Sequence, residues 1–341
     1  MPRRPGLPMN STIVRFQAWR RGAIGLLGRW LPGITAAVAE RLFFTAPRPR
    51  GSRGEALLRG GRRCDVRVDG RRVAAWRFGR GPTVLLVHGW AGRAAQMSAF
   101  VPSLVGRGLS VVAFDAPGHG ESARGMSSAV QFASAMRVLA SRQGPFHAVV
   151  AHSLGASAAT LALRQGLAAR RLAFLGPAAA PPAWARVFAE KLGVPDAVVV
   201  RLKARSEKRL GLAWEELDVP RLCRGLQQPL LVLHDRHDTE VAVADGRAIA
   251  AAWPGARFVE TAGLGHNRIL RDASVVEDVA AFVAADAPAL CACGAGASAS
   301  DCESCGIERE LFDRDLRWAA QAGATIAAWP SSSALPSTSR H

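Results

Sequence analysis

From Thr83 onward, short apolar runs alternate with longer stretches whose apolar residues recur every three or four positions. "TVLLVHG", "SVVAFDA", "HAVVAHS", "RLAFLG" and "PLLVLHD" are near-continuous apolar segments of strand length, and "ARFVETA" is a weaker sixth. Runs lacking polar alternation belong to strands covered on both faces, as in a parallel sheet wrapped by helices. Helical spacing fills the gaps over 127–142, 154–165 and 245–253. Upstream, "CDVRVDGRRVAAWRFG" alternates around Asp69-Gly70, a pair suited to a two-residue hairpin turn. The pattern predicts an α/β fold with a doubly wound, mostly parallel sheet. The rhythm breaks once, over 178–228, where a helical, charge-bearing stretch separates two strands and reads as a small inserted lid.

The two ends differ from this middle. Residues 1–61 form a basic arm. Within it Ile24, Leu27, Leu31, Ile34, Val38 and Leu42 recur at helical spacing, after an N-cap at Asn10-Ser11-Thr12. Arg21 and Arg29 lie off that stripe. The stripe is expected to dock on the domain body, with weak peripheral contact to a membrane surface as the alternative. Arg29 and Pro32 interrupt what would be the apolar core of a secretory signal, so the expected location is cytoplasmic, with the membrane periphery as the alternative. Residues 62–286 carry the strand–helix rhythm. Residues 287–341 form a Cys-rich tail whose last dozen residues, "PSSSALPSTSRH", have a disordered composition.

Charge changes this picture little. The 341-residue chain has a formal net charge of +17. Residues 1–80 hold 18 arginines against four acids, so this stretch carries +14 of it. The basicity belongs to the arm, and arginine exceeds lysine so strongly (Lys191, Lys203 and Lys208 are the only lysines) that it reads as a compositional habit. With no nucleic-acid-binding motif beside it, no nucleic-acid partner is expected. No run of 18 apolar residues occurs, so no membrane-spanning helix is expected.

The candidate chemistry begins at "VVAHSLGASAA", where Ser153 stands between a buried strand and the small-residue start of a helix. A serine on a sharp strand-to-helix turn has its hydroxyl thrust out of the sheet, which is the arrangement behind G-x-S-x-G. Here Ala151 replaces the first glycine, and one methyl is tolerable in that close passage. A serine hydroxyl needs a base, a group to orient the base, and donors for the developing oxyanion. The base candidate is His266 in "GLGHNRIL". The acid candidate is Asp238 in "HDRHDTEV", with Asp235 as its competitor. The donors are the backbone N–H groups of Leu154 and of Trp90 in "VHGWAG". No cofactor is required for this chemistry. Among the other histidines, His88 is expected to order the oxyanion loop and His119 to be structural. His152 and His234 are elbow and loop neighbours, and His237 is expected to be solvated or to tune the acid.

Five segments, "HGWAG", "FDAPGHGES", "AHSLG", "HDRHDTEV" and "GLGH", stand in the order and spacing of the α/β-hydrolase superfamily, which the chain resembles over 62–286. The resemblance implies a sheet of about eight strands. It also implies an acyl-enzyme mechanism with Ser153 as nucleophile, His266 as general base, Asp238 as its partner, and Trp90 and Leu154 at the oxyanion. The substrate would be a small-molecule carboxylic ester or thioester. Two alternatives stay open: a catalytically silent binding or scaffold protein, and cofactor-free haloperoxidase-like chemistry on the same three residues.

In the tail, Cys291 and Cys293 form one close pair and Cys302 and Cys305 another. Four thiolates can close a tetrahedral shell around structural zinc, which would staple the following segment; disulfides or free thiols are the alternatives. The isolated Cys64 and Cys223 are expected to be inert. The oligomeric state is not legible.

Overall fold

A computed structural model describes residues 26–48, 54–180, 183–285 and 287. Its centre is an eight-stranded sheet in the order β1-β4-β6-β5-β7-β8-β9-β10. The strands are β1 (Arg62–Arg63), β4 (Ala75–Phe78), β5 (Thr83–Val87), β6 (Ser110–Phe114), β7 (Phe146–His152), β8 (Ala169–Leu175), β9 (Leu230–Asp235) and β10 (Arg257–Thr261). The pairs from β6 through β10 are parallel, while β1 and β4 are antiparallel to their neighbours. The remaining two strands, β2 (Val66–Val68) and β3 (Arg71–Val73), form a separate hairpin. Asp69 and Gly70 turn it, with φ of 48° and 73°. Two positive φ values in succession give the turn whose twist matches that of the flanking strands.

Unbroken apolar strands result because both faces of the sheet are covered. In β5, Leu85 and Val87 face one core with Phe132, Met136 and Trp253, and Val84 and Leu86 face the other with Phe100, Leu104 and Val279. Helices α2 (Phe100–Val105) and α8 (Ala273–Ala284) cover the second face. Helices α3 (Ala129–Gln143), α4 (Leu154–Arg164) and α7 (Val243–Ala252) cover the first. Local chemistry sets the starts: the Ser128 hydroxyl accepts from the Val130 amide at α3, and the Asp272 carboxylate accepts from Ser274 and Val275 at α8. Strand β10 is the weakest in sequence because it is an edge strand, with no residue fully buried.

The insertion between β8 and β9 holds α5 (Ala183–Leu192) and α6 (Asp196–Leu210). Against α6 lies α1 (Pro32–Phe43), from the basic arm. Their shared cluster contains Ala36, Ala39, Val198, Leu202 and Trp214. The docked face of α1 is the opposite of the one the apolar stripe suggests. Leu31, Ile34, Val38 and Leu42 are outward, and Thr35, Ala36, Ala39 and Glu40 are buried. Small side chains permit close helix approach, and Glu40 supplies the specific contact. Its carboxylate accepts from Arg209 at 2.8 Å and from Arg205 at 3.1 Å. After α1, the Arg48 guanidinium donates to the carbonyls of Gly118 and Ser122. The arm is thereby tied to the loop after β6.

No helix among the described residues is long and apolar enough to cross a membrane. The four tail cysteines, Cys291, Cys293, Cys302 and Cys305, lie outside the described residues, as does the N-terminal end of the apolar stripe at Ile24.

Candidate active site

Strand β7 ends at His152 and α4 begins at Leu154, so Ser153 makes the whole turn. Its φ of 52° and ψ of −122° put a non-glycine residue in a region where such residues rarely sit. Backbone strain of this kind costs on the order of 1–3 kcal/mol and persists only where the surroundings enforce it. Here the Ser153 amide donates to the Leu175 carbonyl at 3.0 Å, and the Ser153 carbonyl accepts from Ala156. Strand and helix pass closely on either side. A Cβ on Gly155 would lie 2.6 Å from the His88 carbonyl oxygen, so this position must be glycine. Ala151 is fully buried between Val87 and Phe174 of the neighbouring strands, and its single methyl fits.

The loop after β5 runs against this turn. A Cβ on Gly89 would meet Ser153 Cβ at 2.9 Å and His152 Nδ1 at 3.0 Å, so the Gly89 backbone abuts the serine. His88 fixes that loop. Its Nε2 accepts from the Ala116 amide at 3.0 Å, which leaves Nδ1–H to donate to the Gly89 carbonyl at 2.7 Å. Burial pushes its imidazole down to about 4, so the ring is neutral and holds one tautomer. His119 packs beside it, 5.1 Å from both the His88 and the Trp90 rings, and burial pushes it down to about 3.

The two remaining candidates come from the far ends of β9 and β10. His266 Nδ1 lies 2.6 Å from Asp238 Oδ2, and both side chains are almost fully buried. The other carboxylate oxygen of Asp238 accepts from the amides of Glu240 and Val241, at 2.8 and 2.9 Å. Burial opposes the charge on Asp238, but hydrogen bonds from His234, His266 and the Val241 amide outweigh it and hold the carboxyl well below its ordinary range. Asp238 is thus ionised and oriented. The rings of His152 and His266 are 4.5 Å apart, and His152 Nε2 lies 3.0 Å from the His266 carbonyl oxygen. The residue adjacent to Ser153 therefore packs on the histidine that Asp238 holds.

Asp235 has a different position. Its carboxylate accepts from the His237 and Leu264 amides and the Thr261 hydroxyl, each at 2.9 Å. It ties the turn that bears Asp238 to the loop that bears His266, its carboxylate engaged by these backbone amides and the Thr261 hydroxyl. Burial pushes its carboxyl up, but the amides of Leu264, Gly265 and His237 outweigh this and hold it down at about 2.

Three contributors were hidden in the sequence. His234, fully buried, sits 3.3 Å from Asp238 Oδ2 and 3.1 Å from the Val241 carbonyl oxygen. It is the ring of His234, not that of His237, that touches the Asp238 carboxylate. His237 Nδ1 instead accepts from the Gly263 amide. Gly176, at φ 50°, follows β8, and a Cβ there would lie 3.2 Å from His266 Nδ1 and 3.3 Å from Asp238 Oδ2. A glycine after an apolar run was the only signal, and it reads equally well as an ordinary strand end. His152 precedes the serine and is as buried as the strand it ends. Among the described residues no cluster of His, Cys, Asp or Glu is arranged to hold a metal ion.

Comparison with known proteins bears on the fold and the family. An uncharacterized protein of Mycobacterium tuberculosis is 29% identical over 239 residues, covering 66% of this chain and 79% of that protein. An esterase from a Rhodococcus species superposes with a TM-score of 0.51 at 19% identity, covering 66% of this chain and 99% of its own. A thermophilic esterase from Thermogutta terrifontis gives 0.52 at 20%, covering 65% and 98%. A bromoperoxidase from Bacillus anthracis gives 0.51 at 15%, covering 65% and 99%. At such identities these structures share the fold. Residues 84–285 match the sequence family described as the alpha/beta hydrolase family. That match spans more than half of the chain, and its bounds take in the Ser153 turn and the Asp238–His266 pair; the chain belongs to the alpha/beta hydrolase family.

Proposed function

We propose that the protein is a serine hydrolase that cleaves a carboxylic ester or thioester through an acyl-enzyme on Ser153. The observation that carries this reading is the strained Ser153 turn, φ 52°, whose neighbour His152 packs 4.5 Å from the His266 ring, an imidazole whose Nδ1 is held 2.6 Å from a buried, ionised Asp238. Asp238 fixes the His266 tautomer with hydrogen on Nδ1, so that Nε2 is the basic nitrogen. In the first step His266 takes the Ser153 hydroxyl proton as the oxygen attacks the acyl carbon. The oxyanion that forms would be met by the backbone N–H groups of Leu154, at the start of α4, and Trp90, in the loop pressed against the serine. His266 then returns the proton to the leaving alcohol or thiol, and afterwards activates the water that frees Ser153.

Labelling with a fluorophosphonate probe tests this directly. Wild type should form one covalent adduct and hydrolyse nitrophenyl esters, while Ser153→Ala should do neither. Wild type that stays unlabelled in its folded state, with no ester turnover, would favour a catalytically silent member of the family. A chain-length series of nitrophenyl esters and acyl thioesters then separates the two substrate classes.

A further inference from the structure

The helical residues 26–30 and α1 present Leu27, Trp30, Leu31, Ile34, Val38 and Leu42 outward, with exposures of 46–78%. Six large apolar side chains on one helical face exceed the scattered exposure of an ordinary surface and mark an interaction site. The helix cannot bury them by rolling over. Its other face is already used, with Ala36 and Ala39 packed in the α6 cluster and Glu40 bound by Arg205 and Arg209.

Charge identifies the partner. Residues 1–54 contain ten arginines and a single acid, Glu40, and that acid is turned inward on its two arginines. Arg29 and Arg41 are exposed beside the apolar residues. A second copy of the chain would set one basic arm against another. An anionic lipid surface satisfies both features, because apolar side chains enter the acyl boundary while guanidiniums stay among the headgroups. Trp30, 78% exposed, is the residue type that favours this boundary.

We propose that this outer face of α1 and the preceding turn docks on anionic bilayer surfaces. Because α1 is fixed to α6, the β8–β9 insertion would be carried to the lipid with it.

The test is co-sedimentation of the full chain with phosphatidylglycerol-containing vesicles and with pure phosphatidylcholine vesicles, at low and high salt. Binding is expected with the anionic vesicles and weakens with salt. The double variant Ile34→Glu/Val38→Glu should lower vesicle partitioning by about tenfold or more. Its thermal midpoint and its reactivity toward a soluble fluorophosphonate should match wild type, which separates this proposal from the hydrolase reading. Three results would overturn it. The full chain could fail to sediment with anionic vesicles at low salt. The double variant could bind as wild type does, which would assign binding to the arginines alone. Sedimentation velocity could show a dimer that the double substitution dissolves, with no vesicle binding.

Discussion

Replacing Asp235 by asparagine separates the two carboxylates that compete in sequence for one role. Asp235 is 1% exposed and holds together the turn of Asp238 and the loop of His266. Its carboxyl is held at about 2, against an ordinary value of 3.8. At about 1.4 kcal/mol per pKa unit, that depression corresponds to roughly 2 kcal/mol of stability at neutral pH. The amide also presents N–H where one oxygen accepted from Leu264 or His237, leaving a buried amide unpaired at a cost of about 1–3 kcal/mol. The two figures describe overlapping interactions, so Asp235→Asn is expected to lose roughly 2–4 kcal/mol. The assay is urea unfolding across pH. Because the folded pKa is depressed, the stabilisation is fully present above the ordinary value of 3.8 and lost as pH falls through about 2. The gap between wild type and variant should therefore be constant from pH 7 to about 5, then narrow below about 4. Asp238→Asn should also lose stability, because its buried carboxylate is likewise held ionised by hydrogen bonds, but unlike Asp235→Asn it should add a loss of turnover on the order of 10⁴-fold, since the imidazole loses its enforced tautomer. Equal unfolding midpoints for wild type and Asp235→Asn at pH 7 would refute the assignment of Asp235 as the brace.

Other consequences follow from buried groups. His88, His119 and His152 are pushed down by burial to about 4, 3 and 3, from 6.5. Neutral when folded, they contribute stability above 6.5 that is lost as pH falls, with a slope approaching ~4 kcal/mol per pH unit for three protons. Chemical denaturation between pH 7 and 5 checks this, and a flat profile would contradict it. Gly176→Ala forces a methyl into a φ of 50° beside the His266–Asp238 pair. About 1–2 kcal/mol of stability should be lost, and kcat should fall more than KM rises on a nitrophenyl ester. Glu40→Ala strips the carboxylate that holds α1 to α6; hydrogen exchange should speed up over residues 32–43 while the sheet amides stay protected.

The periodicity of the chain was enough to place the parallel strands, because a strand buried on both faces has no polar alternation to hide it. The hairpin turn at Asp69-Gly70 was legible for a similar reason, since few residue pairs tolerate two successive positive φ values. The elbow was legible too, because Ser153 stands at the join of β7 and α4 in one short segment, although Gly155 is imposed from a distance by His88 and Val87 at the end of β5. The choice between Asp235 and Asp238 was not local. Asp235 is the last residue of β9 and Asp238 stands in the turn just after it, and only the arrival of His266 from beyond β10 distinguishes the carboxylate that meets the imidazole from the one that braces the loops. His234 and Gly176 were silent because their importance is contact with residues far along the chain. The facing of α1 shows the same limit. Hydrophobicity chose an amphipathic helix, but packing turned its alanine face and Glu40 inward, since small side chains and two arginines on α6 fit there better than a row of leucines. Sequence determined which segments would be strand, helix and elbow; tertiary structure decided which polar groups meet and which apolar face is left to the outside, because those outcomes depend on partners that distance along the chain conceals.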